Sequence, residues 1–157
     1  MCGFVGTTDK HLCRLMLQKQ EHRGPDGMSF WEDDTFAFGH ALLDITGAQQ
    51  TQPYITPAGN ILMFNGEMYD SRETNDTAWL GKMLDKYGTP TLEWTDWHGS
   101  IAYYHKGRNV LHLIRDQFGT KPLWWGFDGK TFEFSTSCKS FLDKELQNRT
   151  TAFGSMG

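Results

Sequence analysis

The chain opens on Met1-Cys2-Gly3-Phe4-Val5-Gly6, a short apolar run directly behind a cysteine. Phe4 and Val5 favour a β-strand, and the glycines let the backbone pack closely around it. If an aminopeptidase removes Met1, Cys2 carries a thiol and a free α-amine together. Their unperturbed pKa values are about 8.5 and about 7.7 to 8.0, so the amine can accept the thiol proton near neutral pH. The start predicts a strand that presents a candidate N-terminal nucleophile; the alternative is an ordinary terminus.

Composition excludes several classes of protein. The 157 residues suffice for one domain with a sizeable core, and a net charge of -4 without basic clusters argues against nucleic-acid binding. No apolar run approaches the roughly 20 residues that cross a bilayer and no signal-peptide pattern is present, so we expect a cytoplasmic protein without a membrane segment. The three cysteines and six histidines lack ligand or disulfide spacing, so we expect no metal and no cofactor.

Periodicity predicts two amphipathic helices. The first covers residues 11–20, with Leu12, Leu15 and Met16 on its buried face. The second begins at Asp76 as its N-cap and stops at Gly88. Apolar runs predict strands at 30–31, 36–43, 61–64, 100–104, 110–114, 123–126 and 132–134. The last four strands are predicted to form an antiparallel meander.

The polar segments leave several alternatives open. Residues 46–59 read as a loop that could be a lid or a site wall. Residues 22–26 read on composition as a turn between a helix and a strand. Asn65-Gly66, which follows an apolar strand, is typical of a tight hairpin turn. The residues from 146 to 157 are predicted to be a polar, disordered tail.

Several motifs occur in one order along the chain. They are Cys2-Gly3, His22-Arg23-Gly24-Pro25-Asp26, Gly39-His40, Gln52-Pro53, Phe64-Asn65-Gly66-Glu67-Met68-Tyr69, Asp76, His98-Gly99-Ser100-Ile101-Ala102 and the block from Arg115-Asp116 to Lys121-Pro122-Leu123. This succession resembles the class II glutamine amidotransferase domain, most closely the glutaminase half of asparagine synthetases. The resemblance runs from Cys2 to about Leu142.

The resemblance implies a fold and an activity. The fold is the α+β N-terminal nucleophile hydrolase fold, an αββα sandwich of two antiparallel sheets flanked by helices, here over residues 1–145. The implied activity is hydrolysis of the side-chain amide of glutamine through a thioester on the terminal cysteine, which frees ammonia and then glutamate.

Matching each position to the family motifs implies the roles of individual residues. Cys2 would be the nucleophile and its own α-amine the base, while Asn65 and Gly66 would form the oxyanion hole. Asp76 would hold the α-ammonium group of glutamine. Arg23 would help to hold the nucleophile end of the site, and Glu67 would be structural or help to fix the substrate.

Two departures from the family pattern qualify these roles. Relatives of this kind carry an arginine for the α-carboxylate of glutamine where this chain has Leu42, so Arg72 or Arg23 would have to substitute, or the substrate differs. The ATP-binding Ser-Gly-Gly-x-Asp-Ser segment of asparagine synthetases does not occur here. We therefore expect a separate ATP-dependent synthetase-like partner; a free-standing glutaminase also fits. Two further alternatives are an amidase for another small amide and a catalytically silent regulatory module.

Overall fold

The computed structural model describes residues 2–43 and 51–141, together with the backbone of 148–149. Within these residues the chain forms ten β-strands, two α-helices and short 3-10 segments. The strands and helices are β1 Gly3–Thr7, α1 Lys10–Gln18, β2 Gly27–Glu32, β3 Ala37–Leu42, β4 Tyr54–Ile55, β5 Ile61–Met68, α2 Asp76–Tyr87, β6 Trp97–His105, β7 Val110–Arg115, β8 Trp124–Phe127, β9 Phe132–Ser135 and β10 Asn148–Arg149. None of the described helices is long and apolar enough to span a membrane.

The chain divides into two compact units. The first consists of Met1–Ile45 and Pro122–Thr150, and the second of Thr46–Lys121 and Thr151–Gly157. The first unit contains a six-stranded sheet in the order β10-β8-β9-β1-β3-β2, and the second a four-stranded sheet in the order β4-β5-β6-β7. Every neighbouring pair of strands in both sheets is antiparallel. The hydrogen bonds of each sheet thus join strands of a single unit.

Helix α1 covers one face of the six-stranded sheet. Asp9 caps it by accepting a hydrogen bond from the His11 N–H. The predicted face was partly wrong, because Leu15 is 48% exposed while Cys13 and Leu17 are buried beside Met16. These side chains pack on Val5 of β1 and on Ala37 and Ala41 of β3. The small size of the two alanines lets the helix lie close to the sheet. Alternation along β1 and β3 directs Cys2, Phe4, His40 and Leu42 to the opposite face.

Helix α2 packs on one face of the four-stranded sheet. The core there consists of alternate residues of three strands and two leucines of the helix. They are Leu62, Phe64 and Met68 of β5, Ile101 and Tyr103 of β6, Ile114 of β7, and Leu80 and Leu84 of α2. Nine buried side chains in all form this cluster, which Leu92 completes. The remaining alternate positions of β5 and β6, including Asn65 and Ser100, lie on the face away from α2.

Three details of the predicted elements were wrong. Asn65-Gly66 is not a hairpin turn, because β5 continues through it and pairs with β6 as far as Met68. The N-cap of α2 is Asn75, whose Oδ1 accepts from the Ala78 N–H at 3.0 Å, and Asp76 is the first helical residue. The second half is not one meander, because β7 and β8 belong to different sheets. Pattern alone does not tell which hairpins share a sheet.

Two predicted segments fall partly outside the described residues. Of the predicted loop at 46–59, residues 46–50 lie outside them, whereas the described part contains the short strand β4. Of the predicted tail at 146–157, the structure describes only the backbone of β10, which pairs with β8. The predicted domain boundary at residue 145 stays a prediction.

Candidate active site

Cys2 stands one residue before β1 and opposite the end of β3. Its Sγ atom lies 3.5 Å from the backbone nitrogen of Leu43, which donates to it, and 3.7 Å from the Leu43 carbonyl oxygen. The residue is partly exposed. Both backbone groups of Leu43, at the end of β3, therefore contact the sulfur of the candidate nucleophile.

A buried glutamine fixes the strand that carries Cys2. Gln20 is fully buried, and its Nε2 donates to the Phe4 carbonyl oxygen, to Ser135 Oγ and to Ser140 Oγ at 3.3, 2.7 and 3.0 Å. Its Oε1 accepts from Thr136 Oγ1 at 2.9 Å. A Cβ on Gly3 would lie 2.1 Å from that same Oε1 atom, so the residue after the cysteine has to be glycine. Sequence reasoning missed Gln20; the Cys2-Gly3 pair was the signal that something packs there.

The turn with Arg23 packs on the end of β3. A Cβ on Gly24 would lie 2.3 Å from the Ala41 carbonyl carbon, and the Asp26 N–H donates to the Leu42 carbonyl oxygen at 3.1 Å. Arg23 Nη1 donates to the Thr136 carbonyl oxygen at 2.8 Å, and burial lowers the pKa of its guanidinium. The segment predicted on composition to be a turn between a helix and a strand begins with a 3-10 turn, Glu21–Arg23. It borders the end of β3, beside Cys2.

His40 and Leu42 lie on the sheet face that also carries Cys2. His40 is 1% exposed, and among the described residues its Nε2 has no hydrogen-bond partner. Burial lowers the pKa of His40 to about 4, so the ring is neutral at physiological pH. Leu42 is half-buried and places an apolar side chain next along this face.

Asn65 is buried in the middle of the second unit with an unused donor. Its side chain is 6% exposed, and its Nδ2 has no partner within the described part of the chain. An amide donor left unpaired in a protein interior costs about 1 to 3 kcal/mol. Such a group is typically retained at functional sites, where a ligand completes it.

The strand around Asn65 and Gly66 depends on a second glycine. Gly66 pairs with Gly99 of β6, and a Cβ on Gly66 would lie 2.0 Å from the His98 carbonyl oxygen. Gly99 has a φ of 138°, a conformation that other residues rarely adopt, and its own Cβ would lie 2.4 Å from the Asn65 carbonyl oxygen. The two glycines therefore let β5 and β6 approach closely at this point.

Asp116 holds Gly99 in that conformation. Its Oδ2 accepts from the Gly99 N–H at 2.8 Å, and its Oδ1 accepts from the Phe118 N–H at 2.9 Å. Burial alone would raise the pKa of Asp116, but the hydrogen bonds from Thr120, Gly99 and Phe118 outweigh it and lower the pKa. Arg115 donates to the Gly119 and Lys121 carbonyl oxygens. The Arg-Asp block thus supports the strand pair opposite Asn65.

A second buried glutamine fixes β5 just before Asn65. Gln52 Nε2 donates to the Phe64 carbonyl oxygen at 3.1 Å, and its Oε1 accepts from the Phe64 N–H at 2.7 Å. The side chain therefore pairs with Phe64 as another strand would. The sequence marked Gln52 only as part of a motif and predicted no such role.

The remaining predicted substrate residues also lie in the second unit. Asp76 is partly exposed, and its Oδ2 accepts from the Met68 N–H at 3.0 Å, which joins the end of β5 to the start of α2. Glu67 is exposed and lies on the same strand face as Asn65. Arg72 is exposed between β5 and α2. The second unit therefore contains Asn65, Gly66, Glu67 and Asp76, whereas Cys2 and Arg23 belong to the first.

Solved structures define the class of fold. The glutamine phosphoribosylpyrophosphate amidotransferase of Bacillus subtilis matches 89% of this chain and 43% of its own, with a TM-score of 0.70 and 15% identity. A structure described as the allosteric regulatory enzyme of purine biosynthesis matches the same shares with a TM-score of 0.72 and 14% identity. The predicted α+β N-terminal nucleophile hydrolase fold is confirmed.

The family follows from the sequence comparison. The family model described as a glutamine amidotransferase domain matches residues 1–153, so the chain belongs to that family of enzymes. Asparagine synthetase [glutamine-hydrolyzing] 3 of Bacillus subtilis is 26% identical over 90% of this chain. Asparagine synthetase [glutamine-hydrolyzing] 2 of the same bacterium is 27% identical over 90% of this chain. The amidase chry2 of Gibberella zeae is 25% identical over 77% of this chain and 21% of its own length. This chain spans only 27% and 22% of the two synthetases.

Proposed function

We propose that this chain is a class II glutaminase, which hydrolyses glutamine to glutamate and ammonia through a thioester on Cys2. The observation that carries the proposal is the buried Asn65 Nδ2, which has no partner among the described residues. A preorganised donor of this kind stabilises an oxyanion, and loss of one typically raises the barrier by about 2.7 to 4 kcal/mol.

The proposed reaction has two steps. The Cys2 thiol passes its proton to its own α-amine, and Sγ bonds to the amide carbon while the carbonyl oxygen accepts from Asn65 Nδ2 and the Gly66 N–H. As this intermediate collapses, the carbon–nitrogen bond breaks, and the proton held by the Cys2 α-ammonium moves to the departing NH₂ group, which leaves as ammonia. Water then cleaves the thioester and releases glutamate. The amine can act as a base only after Met1 is removed.

We assign substrate binding to Asp76, Glu67 and Arg23. The Asp76 carboxylate, held on the Met68 N–H, would accept the α-ammonium group of glutamine. Glu67, which is exposed on the Asn65 face of β5, would help to orient the substrate. Arg23 would support the nucleophile end through its bond to Thr136.

We further propose that the ammonia is consumed by an ATP-dependent synthetase-like partner. The support is that several relatives of this chain are named as glutamine-hydrolysing asparagine synthetases. Glutamate release measured with and without a purified synthetase-like protein tests this step. A stimulated rate supports it, and an unchanged rate points to a free-standing glutaminase.

The test of the central proposal is glutamate release by wild-type protein and by Cys2→Ala. We expect the variant to lose all measurable activity while its circular dichroism spectrum stays unchanged, because the thiol forms the covalent bond. Cys138→Ala is the matched control, since Cys138 is an exposed cysteine of the same unit and should be dispensable. Substantial turnover by Cys2→Ala would refute the thioester.

Intact mass spectrometry with a glutamine-like electrophile completes the test. A single adduct on a protein that lacks Met1 is the expected result. Cys13 should not react, because burial raises the pKa of its thiol to about 12. An adduct confined to Cys138 would contradict the assignment.

A second candidate function is an amidase for another small amide. The apolar side chain of Leu42 on the face of the nucleophile favours it, as does the similarity to the amidase chry2. Comparing kcat/KM for glutamine with that for a simple aliphatic amide distinguishes a glutaminase from such an amidase. A site that binds the α-ammonium group favours glutamine, because the aliphatic amide has no such group. A silent regulatory module would turn over neither substrate.

A further inference from the structure

Ser100 is the residue directly opposite Asn65 in the four-stranded sheet. The two form a cross-strand pair of β5 and β6, and alternation places both side chains on the face away from α2. Ser100 is fully buried, and its Oγ, like Asn65 Nδ2, has no hydrogen-bond partner among the described residues. Two adjacent buried polar groups are thus both unsatisfied.

This pairing is unusual because the two groups are chemically able to satisfy each other. Directly opposite Cβ atoms lie about 4.5 to 5.5 Å apart, within reach of a hydrogen bond between an amide and a hydroxyl. Neither atom makes that bond or any other within the described part of the chain. Each unpaired group costs free energy in the interior, so the arrangement is best explained by a third species that bonds to both.

We propose that Ser100 and Asn65 together recognise the two ends of a primary carboxamide. Asn65 Nδ2 donates to the carbonyl oxygen, and Ser100 Oγ accepts a hydrogen bond from the amide nitrogen. A hydroxyl suits this role because it carries acceptor lone pairs, whereas the Asn65 NH₂ group can only donate. Ser100 is thereby a substrate-binding residue that selects amides over esters and acids; this inference rests on the proposed glutaminase function.

The experiment compares two substrates in wild-type protein and in Ser100→Ala. The substrates are glutamine and the γ-methyl ester of glutamate, in which oxygen replaces the amide nitrogen and no N–H is available. We expect kcat/KM for glutamine to fall about two- to tenfold, which corresponds to one ordinary hydrogen bond, with a much smaller change for the ester. Ser100→Thr, which keeps the hydroxyl, should retain the preference for the amide.

Two controls distinguish recognition from structure. Asn65→Ala should lower the rates for both substrates, because both form an oxyanion. Thr56→Val removes a buried hydroxyl that bonds to Asp85 in the same unit, and it should lower the melting midpoint without changing the amide-to-ester ratio. Ser100→Ala should leave the midpoint unchanged or raise it, because the deleted hydroxyl has no partner.

An equal loss on both substrates, or no loss on either, would overturn the role of Ser100 while leaving the glutaminase function standing. If wild-type protein cleaves the ester but not glutamine, amide recognition is refuted but the nucleophile is not. If it cleaves neither, the proposed function fails and the inference fails with it.

Discussion

Leu42 is the side chain that stands where the family pattern implies an arginine for the α-carboxylate of glutamine. It lies at the end of β3, half-buried, on the face that carries Cys2 and the neutral His40. An apolar group there gives no partner for a carboxylate, and a hydrogen bond to a charged group contributes about 1.5 to 3 kcal/mol. The identity of this single residue therefore bears directly on affinity for free glutamine.

We predict that Leu42→Arg lowers KM for glutamine by roughly tenfold to a hundredfold with little change in kcat, because a carboxylate is held alike in the ground and transition states. Steady-state kinetics of glutamate release measures this. Leu15→Arg is the matched control, since Leu15 is an exposed leucine of the same unit. The KM of this variant for glutamine should equal that of wild-type protein. A wild-type KM already in the low micromolar range would show that another group, such as Arg72 or Arg23, binds the carboxylate.

At the scale of elements, each unit uses a buried glutamine to fix the strand that carries its proposed site residue. Gln20 bonds to the Phe4 carbonyl oxygen behind Cys2, and Gln52 bonds to both backbone groups of Phe64 before Asn65. Both amides are fully used inside the unit to which they belong. Strands β1 and β5 are thereby held at the residue where chemistry is proposed.

The close approach of β5 to β6 leads to a prediction about Gly99. Gly99→Ala should lower kcat at least tenfold, because the new Cβ would lie 2.4 Å from the Asn65 carbonyl oxygen and force the strands apart. Its φ of 138° adds backbone strain of about 1 to 3 kcal/mol, which urea denaturation measures.

Gly129→Ala is the matched control for the strained glycine. Gly129 has a φ of 89° but nothing within 4 Å of a Cβ, so alanine there should reduce stability and leave kcat unchanged. Equal kcat values for the two variants would mean that the position of Asn65 does not depend on the glycine pair.

Across the whole molecule, the buried side-chain polar atoms left without a partner in the described residues are His40 Nε2, Asn65 Nδ2 and Ser100 Oγ. All three lie on the sheet face away from the helix of their unit. Elsewhere, the partly buried carboxylate of Asp85 is well satisfied: although burial opposes it, hydrogen bonds from Asn60, Ala58, Thr56 and Tyr103 lower the pKa of Asp85. Within the part of the chain that the structure describes, unsatisfied buried side-chain polar atoms thus lie only on the faces that carry the proposed chemistry.

His40 makes the stability of the folded protein depend on pH. Its pKa is about 4 when folded, against about 6.5 when unfolded, so the unfolded state binds the extra proton between these values. The contribution of neutral His40 to the free energy of unfolding is therefore fully present above pH 6.5. It is lost as the pH drops towards 4, by about 3 kcal/mol in total. Below about pH 3.9 the lowered pKa values of Asp85 and Asp116 add a further loss.

We predict that His40→Gln flattens the stability profile between pH 6.5 and 4.5, because the amide does not titrate. The free energy of unfolding from urea titrations at pH 7, 5.5 and 4.5 measures this. His11→Gln, at an exposed histidine on α1, should keep the wild-type slope. A slope retained in His40→Gln would place the titrating group elsewhere.

Both helices, most of the strands and the family could be predicted from the sequence, because alternation, helical periodicity and glycine-containing motifs are local properties of the chain. It predicted β5 from its apolar residues and α2 from its spacing. Short motifs also indicate Cys2, Asn65, Gly66 and Asp76 as candidate site residues.

Tertiary structure decided what local patterns do not encode. Which hairpins share a sheet depends on pairing between distant strands, so β7 and β8 could not be separated by inspection. Gln20, Gln52 and Asp116 act on backbone groups far along the chain, and Ser100 is noticeable only because it pairs with Asn65 across β5 and β6. Burial and unmet hydrogen bonds arise when the chain is packed, because they depend on which atoms surround a group in space.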